Sequence, residues 1–593
     1  MAKSTKKSDR QEESQAETST ENENSFVNTS RTWLAGSLFV TFVAAFIRLY
    51  WIGLKPFHHD EGVNGWFLTN LVRQGAWKYD PQNYHGPTLY YFALFSTYLF
   101  GLNDFAVRFV TVAFGILVVV LTLYLRRYLG TIGALVAGML LALSPGQVFI
   151  SRYFIHEILF VFFTLGVAVG VVKFIESERV GQAAVGAMTL LLLVCLLPGT
   201  LNFANGIGGQ NQVLRIGAGV GFFILQTGIV YMLIRSLVNW NEGKPIYLLL
   251  AAASASLTFA TKETAFISFG TMLIAVVCVW IWRKIWSGDK NSWSEPVELT
   301  FGNFRRAFGD RNNALLLCAL SIIVFAFVWV LFFSSFFTND EGFRASIQAY
   351  DLWTKTGTKD HTQNGFFAYL KWGYQIEAPL LVLGALGTLI AFWKAKHRFA
   401  MFAGLWAFGL MAAYTLIPYK TPWLAINFFM PMAIVAGYGI NELANSKQIW
   451  QRGLAAFLAA VAFGVLAYQA IEISFYKYDD DTKPYVYAHT RRPYIDLVAE
   501  INRIAEVSGK GKEISIVVVS PDYWALPWDL RNYTGAGFYG QMTPTSTAEI
   551  VIGAKSQEAE LKTEFERYYK HTGTYDLRPG VELMLYVRKD LAR

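Results

Sequence analysis

Uninterrupted apolar runs of about 20 residues are the feature that most constrains the fold of this chain. Each run is long enough to cross the roughly 30 Å hydrocarbon layer of a bilayer as a helix. There are about thirteen of them, at roughly 33–52, 105–125, 131–149, 154–173, 181–198, 216–236, 245–261, 263–282, 314–336, 376–393, 399–417, 423–441 and 452–472. Only 16% of the residues are charged, against roughly 25% in soluble domains. The sequence therefore predicts a polytopic α-helical membrane protein.

The charges between the apolar runs predict its orientation. Lys and Arg concentrate in alternate short connectors, such as Arg126-Arg127, Lys394 to Arg398 and Lys447 to Arg452. Basic connectors stay in the cytoplasm, so we expect a multi-pass plasma membrane protein with a cytoplasmic N-terminus. This distribution also accounts for the net charge of +8. There is no nucleic-acid-binding motif and no extended basic face, so no nucleic acid partner is predicted.

Three regions follow from composition. Residues 1–32 are polar and predict a disordered cytoplasmic tail. Residues 33–472 form the transmembrane module, with outer loops at 53–104 and 338–375. Residues 473–593 have the pattern of a soluble domain. The predicted helices are Pro493 to Val507 and a charged helix near Gln557 to Tyr569, and the predicted strands are Glu513 to Ser520, Glu549 to Gly553 and Leu583 to Arg588. This region predicts a small extracytoplasmic α/β domain.

The first outer loop carries the motif His58-His59-Asp60-Glu61. A carboxylate beside the membrane can take a proton from an acceptor hydroxyl as a general base, or bind a divalent cation. Asp60 and Glu61 are therefore candidate catalytic residues. The plain alternative is a solvated pair of loop charges, and such pairs are common in proteins. His85 follows in the same loop.

A second polar cluster, at the start of a predicted span, contains Arg152, His156 and Glu157. On a helix Arg152 and His156 share a face, with Glu157 close by. Ionisable residues at such a position are costly unless they face a cavity or each other. A site role and a structural pairing of Arg with Glu are both consistent with this pattern.

Two further clusters lie at outer junctions between spans, Lys262 in the first and Tyr419, Lys420 and Trp423 in the second. A Lys at headgroup depth either extends to the interface as an anchor or holds a lipid phosphate. Tyr and Trp at this depth are typical of the interfacial aromatic belt. All four clusters are predicted on one face of the membrane, whereas independent anchors would appear on both. We therefore predict one active site on the outer face.

Several sequence blocks together resemble a known family. They are HHDEGVNGWF, YDPQNYHGPTLYY, SPGQVFISRYFIHE, TKET, PYKTPW and PDYWALPWDLRNY. With the number of spans and the outer C-terminal domain, they resemble the GT-C membrane glycosyltransferases, which include protein O-mannosyltransferases, the lipid A aminoarabinose transferase and the catalytic oligosaccharyltransferase subunit. More narrowly, they resemble the flippase-associated proteins of archaeal and bacterial N-glycosylation clusters. The resemblance covers most of 33–593.

The resemblance implies transfer of a sugar from a polyprenyl-phosphate donor outside the cytoplasm, with inversion at the anomeric carbon. Asp60 matches the catalytic acidic position, with Glu61 beside it, and Glu157, the third candidate catalytic residue, stands where relatives often have Asp. The residues implied for binding the lipid phosphate and sugar are Arg152, Lys262, Lys420, His85, Tyr419 and Trp423. Members of the superfamily differ in their need for a divalent metal (Mg, Mn or Zn). If one binds here, Asp60, His156 and Glu157 are the tentative ligands.

Two other functions remain open on the sequence alone. A lipid-linked-sugar flippase or transporter needs polar residues at the bilayer midplane or paired broken helices, and the spans are mostly cleanly apolar. A non-catalytic subunit with a degenerate site is the other alternative, and the intact HHDEG block argues against it. The sequence leaves the sugar open, and the acceptor could be a glycan, a lipid or a protein.

Overall fold

The computed structural model describes residues 31–591 except 76, 84, 177–178, 290–291, 293, 358–363 and 544–546. Residues 1–30, nearly all of the predicted disordered tail, lie outside the described residues.

Helices make up most of the described chain. In order they are α1 (Arg31–Leu49), α2 (His59–Gln74), α3 (Thr88–Phe100), α4 (Asp104–Leu123), α5 (Arg126–Leu143), α6 (Pro145–Ser151), α7 (Glu157–Glu176), α8 (Gln182–Gly208), α9 (Gln212–Asn239), α10 (Lys244–Phe259), α11 (Ala265–Ile285), α12 (Phe301–Ala307), α13 (Arg311–Phe333), α14 (Glu341–Gly357), α15 (Ala368–Ile376), α16 (Ala378–Lys394), α17 (Arg398–Leu416), α18 (Ile426–Ala444), α19 (Ile449–Ile471), α20 (Pro493–Val507), α21 (Leu526–Asp529) and α22 (Glu558–Phe565).

Eleven helices of the described chain are long and apolar enough to cross a membrane, or up to twelve if a bent pair counts as one span. The bent pair is α15 and α16, which meet at 108°. Every predicted apolar run falls on a helix. The count differs from thirteen because 216–236 and 245–261 lie in one helical stretch, Gln212–Phe259, and 376–393 enters only as half of the bent pair. The prediction of a polytopic helical membrane protein is confirmed.

Small residues bring the central helix α18 close to its neighbours. A Cβ atom on Gly437 of α18 would lie 2.3 Å from the carbonyl oxygen of Gly133 in α5. On the other side, a Cβ atom on Gly387 of α16 would lie 2.1 Å from the carbonyl oxygen of Val435 in α18. Association of helices in a bilayer relies on such close packing, because lipid removes most of the hydrophobic drive between them.

The predicted outer loops are folded segments. Residues 53–104 contain α2 and α3, and residues 338–375 contain α14 and most of α15. Helix α2 starts at the acidic motif because His58 caps it: the ring accepts the Asp60 N–H, and the Glu61 side chain accepts the His58 N–H. Two carboxylates in the first turn also interact favourably with the positive end of the helix dipole.

The C-terminal region contains a five-stranded sheet with the order β2-β1-β3-β5-β4. Strand β1 is parallel to β2 and β3, and β5 is antiparallel to β3 and β4. The strands are β1 (Ser515–Val518), β2 (Gly535–Phe538), β3 (Ile550–Ala554), β4 (Tyr569–Arg578) and β5 (Val581–Arg588). The predicted small α/β domain is confirmed. Strands β2 and β4 were not predicted, because Gly-Ala-Gly-Phe has little strand propensity and β4 is a largely exposed edge without clear alternation.

Trp528 of α21 anchors this domain to α2. Its ring stacks on Phe57 with centroids 4.8 Å apart and planes 9° from parallel, and its indole N–H donates to Asp104 Oδ1 at 2.9 Å. Gly65 of α2 allows the approach, since a Cβ atom there would lie 2.5 Å from Trp528 Cε3. The block PDYWALPWDLRNY therefore forms the contact between the sheet domain and the outer helices.

This contact predicts a position-specific effect of adding one methyl group. Gly65→Ala should lower the melting temperature of the purified protein, because overpacking against a fully buried ring costs roughly 1–3 kcal/mol. Gly186→Ala in α8 is the control, since its Cβ atom meets nothing within 4 Å and Ala is the better helix former. Equal melting temperatures for the two variants would contradict the anchor role of Trp528.

Candidate active site

Glu61 forms a buried ion pair with Arg108 of α4. The guanidinium donates Nε–H to Oε1 at 2.8 Å and Nη2–H to Oε2 at 2.7 Å. The same carboxylate accepts the N–H of Phe154 at 2.8 Å and of His58 at 3.1 Å. Burial acts to raise the pKa of Glu61, but the charge and hydrogen bonds of Arg108 lower it below its ordinary value. Glu61 thus stays ionised and joins α2, α4 and the segment before α7.

Arg108 also holds the chain between α1 and α2. Its remaining N–H groups donate to the carbonyl oxygens of Ile52 at 3.2 Å, Lys55 at 3.0 Å and Pro56 at 3.3 Å. We did not predict a role for Arg108 from the sequence. Its position inside an apolar run was nevertheless a usable signal, because such a charge requires a partner.

Asp60 is the exposed carboxylate of the motif, with 40% of its side chain accessible. Its Oδ2 lies 3.5 Å from the Tyr153 hydroxyl and 3.8 Å from His58 Nδ1. Burial of the carboxyl among protein atoms raises the pKa of Asp60, the nearby rings of His59 and His85 lower it, and the negative charge of Glu157 raises it further. Asp60 therefore interacts electrostatically with His85 of the same loop and with Glu157 of the second predicted cluster.

Glu157 and Lys262 form a second buried ion pair, 2.5 Å from Oε1 to Nζ. Backbone pairing brings them beside the first outer loop, because His85 forms a β-bridge with Lys262 and the Gly86 N–H donates to Thr261 O at 3.1 Å. Gly86 is required at this crossing, since a Cβ atom there would lie 1.9 Å from the carbonyl oxygen of Ala260.

Tyr419 completes the cluster. Burial, followed by the negative charges of Asp60 and Glu157, raises the pKa of its hydroxyl, so Tyr419 lies within electrostatic range of both carboxylates. Trp423 follows in the short 3-10 helix Pro422–Ala425 and contacts Tyr487 edge to face, with centroids 5.8 Å apart. The structure thus gathers Asp60, Glu157, Lys262, His85 and Tyr419 from four separate parts of the chain.

Two of the predicted phosphate-binding cations are engaged elsewhere. The Arg152 guanidinium donates to carbonyl oxygens at the end of α1, including Arg48 at 3.0 Å and Trp51 at 2.8 Å. The Lys420 ammonium donates to the carbonyl oxygens of Thr415 at 3.0 Å and Ile417 at 2.6 Å, at the end of α17. Cations are favourable at helix C-termini, where backbone carbonyls lack helical partners. Both residues act here as helix caps.

The C-terminal domain closes one side of the site through His59. The Arg578 guanidinium lies 2.7 Å from His59 Nδ1 and pairs with the carboxylate of Asp522. Burial lowers the pKa of His59, and the neighbouring Asp60 charge opposes that shift. The sheet domain is therefore in direct contact with the residue next to Asp60.

The tentative metal ligands do not form a ligand set in this arrangement. His156 Nε2 lies 3.0 Å from the carbonyl oxygen of Gly86, and Glu157 is paired with Lys262. Within the part of the chain that the structure describes, no three His, Cys, Asp or Glu side chains are grouped closely enough to hold an ion.

Fold and site together define a multi-span membrane protein with the GT-C fold. The family model described as dolichyl-phosphate-mannose-protein mannosyltransferase matches residues 84–198. No curated protein sequence matches the chain. Among solved structures, ArnT from Cupriavidus metallidurans bound to undecaprenyl phosphate is similar at a TM-score of 0.54 and 13% identity, covering 95% of this chain and 99% of that one.

Two further structures show the same likeness. ArnT from Cupriavidus metallidurans in the apo state has a TM-score of 0.50 and 12% identity over 95% of this chain and 99% of that one. The archaeal oligosaccharyltransferase AglB from Archaeoglobus fulgidus, with an inhibitory peptide and a dolichol-phosphate, has a TM-score of 0.46 and 13% identity over 89% of this chain and 70% of that one. The likeness to ArnT confirms the predicted GT-C fold.

The buried pair predicts a pH-dependent loss of stability. Because the pKa of folded Glu61 lies below the ordinary value of 4.5, its contribution is complete above about pH 4.5 and is lost as the pH falls through the lower folded-state pKa. Glu61→Gln leaves Arg108 buried without a charged partner, which costs roughly 3–5 kcal/mol. We expect the Glu61→Gln variant to have a lower melting temperature than the wild type at neutral pH. Its melting temperature should then fall less than that of the wild type as the pH is lowered.

The exposed Glu564, on the surface of α22, provides the control for this measurement. Glu564→Gln should leave both the melting temperature and its pH dependence at wild-type values. If Glu61→Gln were as stable as Glu564→Gln, the pair with Arg108 would not organise the site.

Proposed function

We propose that the protein is a membrane glycosyltransferase that moves a sugar from a polyprenyl-phosphate donor to an acceptor on the extracytoplasmic face. The observation that carries the proposal is the state of the two motif carboxylates. Glu61 is buried with four N–H donors, whereas Asp60 beside it is 40% exposed and lies within electrostatic range of His85, Glu157 and Tyr419. We assign the general base to Asp60 and a positioning role to Glu61.

The proposed reaction is a single displacement. The acceptor oxygen attacks the anomeric carbon of the donor from the face opposite the phosphate, and Asp60 takes the acceptor proton as the new bond forms. The bond between the anomeric carbon and the phosphate oxygen breaks, and polyprenyl phosphate leaves with the electron pair. One displacement inverts the anomeric carbon.

Lys262 is our candidate for stabilising the leaving phosphate. It is the cation whose partner, Glu157, interacts electrostatically with Asp60, whereas Arg152 and Lys420 donate to helix ends. Placing a positive charge where negative charge develops is the main electrostatic task in this reaction. We assign His85, Tyr419 and Trp423 to donor binding.

The comparisons support the donor class. The similar ArnT structure is described as bound to undecaprenyl phosphate, and the matching family model is described as acting with dolichyl-phosphate-mannose. We therefore propose a hexosyl or pentosyl donor on a polyprenyl phosphate, and an acceptor that is a glycan, lipid or protein. A cytoplasmic N-terminus, with Asp60 and the sheet domain outside, remains our prediction from the basic connectors, as does membership of the flippase-associated group.

Replacement of the proposed base tests the assignment. Asp60→Asn should abolish glycan transfer while protein level and membrane insertion stay normal, because an amide cannot take the acceptor proton. Asp80→Asn, an exposed position in the same outer segment, is the matched control and should keep full transfer, since Asn can retain the hydrogen bond from the Gln82 N–H. If the Asp60→Asn variant retained full glycan transfer, Asp60 would not be the general base.

A strain lacking the protein provides the substrate test. We expect an accumulated polyprenyl-phosphate sugar and one missing glycan when lipid carriers and glycans are analysed by mass spectrometry. If the purified protein instead moved lipid-linked sugars across vesicle membranes, and the Asp60→Asn variant did so equally well, the flippase alternative would replace the transferase.

The assignment of the phosphate-side cation predicts opposite effects for two lysines. Lys262→Met combined with Glu157→Gln removes both charges of the buried pair, so no lone charge is left. This double variant should lose roughly 100-fold or more in turnover with a modest change in melting temperature. Lys420→Met should lower the melting temperature and retain most of the turnover, because it removes a helix cap. If Lys420→Met instead lost turnover and the double variant kept it, the leaving phosphate would bind at Lys420.

A further inference from the structure

A row of partly exposed aromatic rings begins next to Asp60 and continues over the sheet domain. The His59 ring lies edge to face against the Trp524 ring, with centroids 6.3 Å apart. The Trp524 ring lies 5.4 Å from the Tyr523 ring, and the Tyr523 ring lies 5.5 Å from the Phe538 ring, again between centroids. Each of these rings keeps part of its surface accessible. We call Trp524, Tyr523 and Phe538 the aromatic row.

Glycines position the aromatic row against α2 and leave it uncovered. A Cβ atom on Gly62 of α2 would lie 2.8 Å from Ala525 Cβ and 3.5 Å from Trp524 Cε3. Because Gly62 has no side chain, the segment that carries Trp524 reaches the first turns of α2. A Cβ atom on Gly540 would lie 3.7 Å from Tyr523 Cε1, so glycine at that position leaves the edge of the Tyr523 ring open.

A pair of opposite charges adjoins the aromatic row at its end near the site. The Arg578 guanidinium lies 2.7 Å from His59 Nδ1 and pairs with the Asp522 carboxylate. The Asp522 side chain is 47% accessible and that of Arg578 17%. A guanidinium only donates hydrogen bonds and a carboxylate only accepts them. A ligand whose groups both donate and accept therefore finds both kinds of partner at this charged pair.

The shape of β4 directs Arg578 to this place. The register between β4 and β5 shifts between Asp576 and Arg578, and a second shift lies between His571 and Gly573. A β-bulge turns a side chain away from its regular direction, and bulges on an edge strand also hinder the pairing of a further strand. The opposite edge, β2, has only four residues. Neither edge is therefore well suited to bind an extended peptide as an added strand.

We propose that the aromatic row and the charged pair form a binding site for a glycan acceptor. Sugar rings of the acceptor stack on Trp524 and Tyr523, and their hydroxyl groups hydrogen-bond to the charged pair. The sugar nearest His59 presents the hydroxyl whose proton Asp60 takes. This inference rests on the proposed function, because it names the acceptor class of the same transfer.

The two kinds of surface on a sugar ring match the two parts of this site. The C–H groups on the face of the ring carry a slight positive charge, and they are attracted to the negative face of an aromatic ring. The hydroxyl groups at the edge both donate and accept, so one acceptor-only and one donor-only partner can bind them. A hydrocarbon chain could cover the aromatic row but has no group that binds the charged pair.

Removal of each ring at nearly constant apolar bulk tests the aromatic row. Tyr523→Leu and Trp524→Leu should each raise the KM for the acceptor roughly tenfold, because the stacking contact is lost. The kcat and the KM for the donor should stay near wild-type values. Tyr523→Phe and Trp524→Phe keep an aromatic ring and should restore most of the acceptor affinity. Equal acceptor KM values for the Leu and Phe variants would show that these side chains only pack, and would overturn the proposal.

Two further variants complete this experiment. Tyr568→Leu is the matched control, because Tyr568 is 61% exposed and precedes β4, whose ten residues place Arg578 roughly 30 Å away at the other end. It should keep the wild-type acceptor KM. Asp522→Ala changes a half-exposed side chain, so it tests the charged pair even if a ring variant is unstable. It should raise the acceptor KM roughly fivefold through lost hydrogen bonds.

The class of the acceptor is tested with fractions of the strain lacking the protein. The purified full-length protein receives the polyprenyl-phosphate sugar that accumulates in that strain, together with the donor-free cell envelope as acceptor. A glycan acceptor should survive treatment of the envelope with proteinase K and should be lost after periodate oxidation, which cleaves the vicinal diols of sugars. Extraction with chloroform and methanol then distinguishes a lipid-linked glycan from a free polysaccharide, and either supports the proposal. An acceptor destroyed by proteinase K and resistant to periodate would be a peptide and would overturn it.

The outcomes separate the acceptor site from the proposed function. Inactive Asp60→Asn, together with a raised acceptor KM in the Leu variants and in Asp522→Ala, supports both. Inactive Asp60→Asn with wild-type acceptor KM values in those variants overturns the acceptor site alone. If Asp60→Asn transferred fully while the Leu variants raised the acceptor KM, the base assignment would fail and the acceptor site would stand. If the wild-type protein transferred no sugar, both would fail.

Discussion

The ion pair between Glu61 and Arg108 is the interaction on which the site depends. It fixes three segments at once, because Arg108 is on α4, Glu61 is in the first turn of α2, and the same carboxylate accepts the Phe154 N–H just before α7. A buried ion pair adds little net stability over apolar residues of similar volume, but removing one partner is costly. Its contribution is therefore positional, and it holds the adjacent Asp60 with its carboxylate partly exposed.

A second constraint brings the remaining groups to Asp60. The short backbone pairing of residues 85–88 with 260–262 places His85 beside Lys262, and Lys262 then pairs with Glu157 at the start of α7. Gly86 makes this crossing possible, since a side chain there would overlap a backbone carbonyl. Trp528 acts in the same way on the outer side, where it fixes the sheet domain against α2 and so places Arg578 next to His59. The candidate site is assembled by contacts between segments that connect the spans.

Hydropathy predicted the fold well because the bilayer imposes one length and one composition on every span. The same reasoning predicted α20 with its observed ends, since an amphipathic helix beginning with Pro has a clear pattern. The topology likewise predicts all four clusters on one face of the membrane. The roles of individual cations could not be predicted. Arg152, Lys262 and Lys420 all lie beside the ends of predicted spans, and only the structure shows that two of them donate to helix ends. Arg108 stands out in the sequence only as a charge inside an apolar run, because its partner Glu61 lies far away in the sequence.

The most direct test of the central claim is a cryo-EM structure with a polyprenyl phosphonate sugar, in which the scissile oxygen is replaced by carbon. We expect the anomeric carbon to face the exposed side of Asp60 and the phosphonate to lie beside Lys262. A phosphonate bound at Arg152 or Lys420, with the sugar out of reach of Asp60, would contradict the assignment of Asp60 as the base.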